Sequence, residues 1–145
     1  MLNIERKLLN EVWKHATEEY PLECCGVLLG SRERERRTVA MIVRCRNVHP
    51  APATGYGIAP DELIAIQRDA RDRHLEIVGF YHSHPDHPPT CSDTDLAEAN
   101  WSECSYLILS VEQQRATAAR SYVLTSENGA ARFVEEALVD DAVYS

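Results

Sequence analysis

The chain has 145 residues, 44% hydrophobic and 26% charged, an ordinary balance for one domain over residues 1–145, burying roughly 68–70% of its unfolded surface. Its net charge of −8 gives nucleic-acid binding little electrostatic support. The start Met1-Leu2-Asn3-Ile4-Glu5-Arg6-Lys7 is not of signal-peptide kind, and no apolar stretch would span a bilayer, so the cytoplasm is the expected location.

Ile4, Leu8, Leu9, Val12, Trp13 and Ala16 recur at helical spacing, which predicts an amphipathic helix ending near Tyr20-Pro21. Cys25–Gly30 reads as a buried strand, Ser31–Arg36 as a charged turn, and Thr38–Val48 as a longer strand. The Arg-rich tip, Arg32 to Arg37, is expected to be exposed. His49–Gly57 is too rich in proline and glycine for regular structure and reads as a surface loop. Pro60 and Asp61 open a second helix, with Arg73 and His74 near its end. Leu75–Tyr81 is a buried strand, and Ser92 to about Asn100 a third helix. Three more strands follow at Ser105–Val111, Thr117–Leu124 and Ala130–Val134. This order predicts an α/β domain with one central sheet.

Five cysteines, Cys24, Cys25, Cys45, Cys91 and Cys104, are an odd number with no CxxC spacing. Neither a disulfide framework nor a structural zinc knuckle is indicated, and free thiols filling core space are the expectation.

The chemistry lies at Tyr81-His82-Ser83-His84-Pro85. Residues two apart on a strand face the same way, so His82 and His84 present both imidazoles to one side and Ser83 to the other. A single histidine at a strand end is usually an ordinary hydrogen-bonded residue. Two on one face form a ligand pair for a divalent metal, and one oxygen ligand more would leave a coordination position for water. Ser92-Asp93-Thr94-Asp95 supplies candidate oxygens. It also reads as a capping box, with Ser92 capping a helix and Asp95 at its third position. The two roles are compatible, since a first-turn aspartate still directs an oxygen outward. Spacing alone leaves Asp86, Asp93 and Asp95 all in contention.

His82-Ser83-His84, seven residues, then Ser92-x-x-Asp95 resembles the JAMM/MPN+ metalloprotease signature. The segment Tyr20–Gly30, with Glu23 just before a Gly-bearing apolar strand, matches its upstream part. The resemblance covers nearly the whole chain. It implies a cytidine-deaminase-like α/β sandwich with a curved, mixed sheet flanked by three helices. It further implies that His82, His84 and Asp95 bind Zn2+ with a water in the fourth place. Glu23 becomes the general base and proton shuttle, and Ser92 the donor to the oxyanion. Only the resemblance selects Glu23, because a charge before an apolar strand is usually just solvated. His87 reads as an exposed loop residue near the cleft. Cys91 stands where many family members have proline.

The short connections are similar to those of the prokaryotic subgroup acting on small ubiquitin-like sulfur carriers. The implied reaction is hydrolysis of the amide bond after the carrier's C-terminal Gly-Gly, for example releasing cysteine. The oligomeric state is left open. A generic zinc peptidase and a non-catalytic MPN-type scaffold are the alternatives, the latter disfavoured because every ligand position is filled. A cytidine deaminase would need His-x-Glu and Pro-Cys-x-x-Cys, which are absent. A cysteine protease built on Cys91 would need a histidine base, a role that metal-bound imidazoles do not fill.

Overall fold

In the computed structural model, residues 1–92, 95, 99 and 101–140 are described. Among the described residues, eight strands and two helices follow one another as β1 (Leu2–Asn3), α1 (Arg6–Glu19), β2 (Cys25–Glu33), β3 (Arg36–Cys45), α2 (Pro60–Asp72), β4 (Glu76–Pro85), β5 (Ser105–Glu112), β6 (Arg115–Glu127), β7 (Ala130–Glu136) and β8 (Leu138–Val139). Helix α1 stops one residue before Tyr20, because a residue preceding proline is driven out of helical conformation. The expected helix at Ser92–Asn100 falls largely outside the described residues, as does Asp93. No helix among the described residues is long and apolar enough to cross a membrane.

The strands form one sheet in the order β7-β6-β5-β4-β2-β3-β1-β8. It is mixed: β1 runs parallel to β3 and β8, β4 runs parallel to β5, and the other pairs are antiparallel. Only Ala137 separates β7 from β8, at opposite ends of that order, so the sheet curls nearly to closure. Main-chain bonds from Leu2 N to Ala137 O (2.9 Å) and from Ile4 N to Val139 O (2.8 Å) tie the seam.

Each face of the sheet buries one helix. Leu9, Val12 and Ala16 of α1 pack with Leu28, Val78, Tyr81, Leu107 and Leu109. Ile66 and Ala70 of α2 pack with Val27, Leu29, Phe80 and Tyr106 on the opposite face. Each fully buried Leu, Val or Ile contributes roughly 1.5–3 kcal/mol. The buried cysteines join these cores as free thiols. Burial pushes the Cys24 and Cys45 thiols up to about 12, so they are neutral space fillers.

Strand boundaries and one exposure differ from the sequence reading. Strand β2 runs on through Ser31 to Glu33, because the hairpin continues its ladder to Glu33 opposite Arg36. Strand β3 ends at Cys45 rather than Val48. Arg37, expected at an exposed tip, is only 7% exposed. Its Nε donates to Glu103 O at 2.7 Å, and its guanidinium lies 3.6 Å from Glu136. Charge in a linear sequence hid a partner that arrives from the other end of the sheet.

The site depends on a bulge in β4. Leu28 pairs with Gly79 but Leu29 with Ile77, which leaves Val78 as an extra residue. After the bulge, Phe80, His82 and His84 alternate with Tyr81 and Ser83. Phe80 lies on the α2 face, whereas Tyr81 lies on the α1 face beside His15. Tyr81 Oη and His15 Nδ1 are hydrogen-bonded at 2.7 Å. Burial, with Arg44 adding to it, lowers His15 to about 4, so the ring is neutral. Gly79 is required where β4 meets β5, since a Cβ there would lie 2.5 Å from Ser105 O. Gly79→Ala should therefore lower the unfolding free energy by about 1–3 kcal/mol in urea titrations. An unchanged midpoint would show that the strands part to admit the methyl group.

Candidate metal centre

Strand β4 delivers both histidines to one place. His82 Nε2 and His84 Nε2 are 3.1 Å apart. Asp95 closes the triangle, with Oδ1 3.1 Å from His82 Nε2 and Oδ2 3.0 Å from His84 Nε2. The three side chains are nearly buried, and they form the His/Cys/Asp/Glu group with metal-ligand geometry found among the described residues. Tetrahedral arms of about 2.0–2.1 Å would separate ligand atoms by about 3.3 Å. A set of two imidazole nitrogens and one carboxylate oxygen at these separations fits a divalent ion of the zinc class.

Neighbouring groups aim the ligands. His84 Nδ1 lies 2.8 Å from Pro88 O; a proton donated there would leave the Nε2 lone pair available to a metal. Tyr56 stacks on His82, with ring centroids 4.3 Å apart and planes inclined by 19°. Asp95 accepts from Ser92 N at 3.0 Å, and Asp95 N donates to Ser92 Oγ at 3.0 Å. The capping-box exchange and the ligand geometry thus coexist in one carboxylate, because its two oxygens serve both.

Electrostatics follow the same geometry. Burial alone would raise Asp95, but hydrogen bonds from both histidines and from Ser92 N hold its carboxyl far below the usual range. Burial alone would lower His84, and the Asp95 carboxylate and Pro88 carbonyl outweigh it and raise the imidazole. Each partner stabilises positive charge between the rings and the carboxylate, which is the demand a dication meets.

A cavity of about 310 Å³ opens onto this triangle, lined by Glu23, His84, His87, Cys91, Ser92 and Asp95 among others. Glu23 reaches it through strand register. Cys25 pairs with His82, and Ser83 N donates to Cys24 O at 3.2 Å, so Glu23 comes to the level of His84 on the histidine face. Glu23 is buried, at 5% exposure. Ser92 is exposed, and its oxygen accepts from Asp95 N, which leaves its own O–H to donate. His87 is exposed. Asp86 is committed elsewhere: Tyr20 Oη donates to one of its oxygens at 2.6 Å and Gln113 N to the other at 3.0 Å. Asp86 therefore drops out as a ligand.

Sequence reasoning missed Tyr56 and Asn47. An aromatic between two glycines, Gly55-Tyr56-Gly57, inside a polar loop was the available signal for the first. Asn47 carried none, since asparagine before a proline-rich segment reads as an ordinary turn former.

A family model described as prokaryotic homologues of the JAB domain matches residues 5–125. The chain is 36% identical over 103 residues to a desampylase of Haloferax volcanii, covering 71% of this chain and 73% of that protein. It is 34% identical over 116 residues to a probable TtuB-protein conjugate cleaving protease of Thermus thermophilus, covering 80% and 74%. It is 30% identical over 124 residues to a CysO-cysteine peptidase of Mycobacterium bovis, covering 84% and 82%. A solution structure of a protein from Desulfitobacterium hafniense superposes with a TM-score of 0.80 at 27% identity, covering 99% and 97%. By motif, fold and sequence alike, the chain belongs to the family of prokaryotic homologues of the JAB domain.

Proposed function

We propose that the chain is a zinc-dependent peptidase that hydrolyses the amide bond after the C-terminal Gly-Gly of a small ubiquitin-like sulfur carrier. The observation that carries the reading is a three-ligand cluster sharing its cavity with a second carboxylate, Glu23, that is not one of the ligands. The relatives' names support the substrate class, since they describe a desampylase, a protease of TtuB conjugates and a CysO-cysteine peptidase. Action in the cytoplasm, with no nucleic acid or membrane as partner, goes with this reading.

His82, His84 and Asp95 would hold the ion. When bound, zinc would supply Lewis acidity and bring the pKa of a water to about 7. Glu23 would take the proton released from that water and hand it to the departing amine, a task open only to a carboxylate that does not ligate. Ser92 would donate its O–H to the oxygen that gains charge as the carbonyl is attacked, worth about 2.7–4 kcal/mol in comparable sites. Glycines suit the narrow approach because they bring backbone to the site without side chains.

A generic peptidase is the second reading. It is favoured by an apolar hollow of about 410 Å³ lined by Tyr56, Phe80, Trp101 and Tyr106, whose Tyr56 wall also stacks on His82. Incubation with a carrier bearing one amino acid after Gly-Gly, followed by mass measurement of the products, separates the two. Loss of that residue alone supports carrier specificity. Brisk cleavage of short peptides with an intact carrier adduct supports the generic enzyme.

Asp95→Asn should weaken zinc binding well beyond the roughly 10–100-fold that outer-shell losses cost, read by competition with a chromogenic chelator. Undiminished affinity would remove Asp95 from the ligand set. Glu23→Gln should keep one zinc per chain while turnover falls by about 10²–10⁴-fold. Full turnover in that variant would mean another group carries the proton.

A further inference from the structure

Asn47 stands just after β3, and its side-chain amide is used to capacity. Nδ2 donates to Glu23 O and to Gly55 O, each at 3.0 Å. Oδ1 accepts from His49 N and Gly57 N, each at 3.1 Å. The orientation of the amide is dictated by these partners, because reversing it would set donors against donors and carbonyls against a carbonyl. Glu23 N in turn donates to Pro52 O at 2.8 Å. Both main-chain polar groups of Glu23 therefore end on the loop between β3 and α2, not on the sheet.

That anchoring matters because of what lies around Glu23. The last register pair of β2 with β4 is Cys25 with His82, so Glu23 stands beyond the regular ladder. Cavities open on both of its sides. The metal-facing one measures about 310 Å³. The other, about 360 Å³, is lined by His15, Glu19, Cys45 and Asn47. Glu23 lines both cavities, and the loop's hydrogen bonds to its main-chain N and O hold its backbone between them.

We propose that Asn47 is the positioning residue for Glu23, holding its main chain so that the carboxylate stays level with His84 in the metal-facing cavity. This inference rests on reading Glu23 as the proton carrier. Asn47 touches neither the ligand atoms nor the reacting bond, and it acts through the Glu23 carbonyl. The same amide spans the loop from His49 to Gly57, so the segment that presents Tyr56 to His82 is braced by the group that braces the base.

Two variants test it. Asn47→Ala removes all four bonds and loosens the loop as a whole. Asn47→Asp keeps both acceptor bonds to His49 N and Gly57 N and replaces the two donors with a carboxylate oxygen facing Glu23 O and Gly55 O. In whichever variant folds, kcat on the carrier adduct should fall about 10–100-fold, the scale of a 1 Å misplacement of a reacting group. KM should stay within about threefold, with one zinc per chain retained. A purely structural loop role would instead lower the melting temperature or raise KM with kcat within about twofold of the unsubstituted protein. That result overturns the inference. Glu23→Gln measured in parallel keeps the two failures apart. If it retains full turnover, the assignment of the base has failed. If it loses turnover while Asn47→Asp keeps it, only the positioning role has failed.

Discussion

The antiparallel register of β2 against β4 is the constraint on which the site depends. With Cys25 opposite His82, the chain just before β2 is carried to the far end of β4. Glu23 thereby meets a histidine that lies 61 positions later in the sequence (84 − 23). The Val78 bulge is part of the same constraint. A one-residue slip turns every side chain beyond it to the opposite face, and without the extra residue His82 and His84 would point toward α1 and Tyr81 toward α2. Gly79, pressed against Ser105 O, lets β5 close on the strand at that point.

One short segment carries two duties. Ser92 and Asp95 each donate a main-chain N–H to the other's side-chain oxygen, as residues that start a helix do, and the same Asp95 faces both imidazoles. The economy is physical. A carboxylate held by a backbone N–H is already oriented, so little side-chain entropy remains to be lost when it binds a cation. His84 is treated likewise by Pro88 O, and His82 by the ring of Tyr56. Each of the three side chains is thus restrained by a neighbour outside the triad.

Legibility in the sequence tracked distance along the chain. The histidine pair could be read from the strand period alone, and the position of α2 from Pro60 and the apolar face behind it. Helix α1 could be read from its spacing and from Pro21. Asp95 could be narrowed to three candidates but not chosen, since the return of the 85–91 loop decides which oxygen reaches the rings. Glu23 was legible only through family resemblance, because the register that brings it to His84 is a property of two strands together. The near-closure of the sheet was invisible. It rests on two-residue strands at Leu2–Asn3 and Leu138–Val139, too short to show any periodicity. Arg37 was misread for the same reason: its partner Glu136 lies at the end of β7.

The central claim is that one cation gathers His82, His84 and Asp95. X-ray absorption at the zinc K-edge on protein reconstituted with one equivalent of zinc tests it most directly. The account predicts two imidazole nitrogens and oxygen scatterers at about 2.0–2.1 Å with no sulfur shell. A sulfur shell near about 2.3 Å, or spectra unchanged when both histidines are replaced, would contradict it.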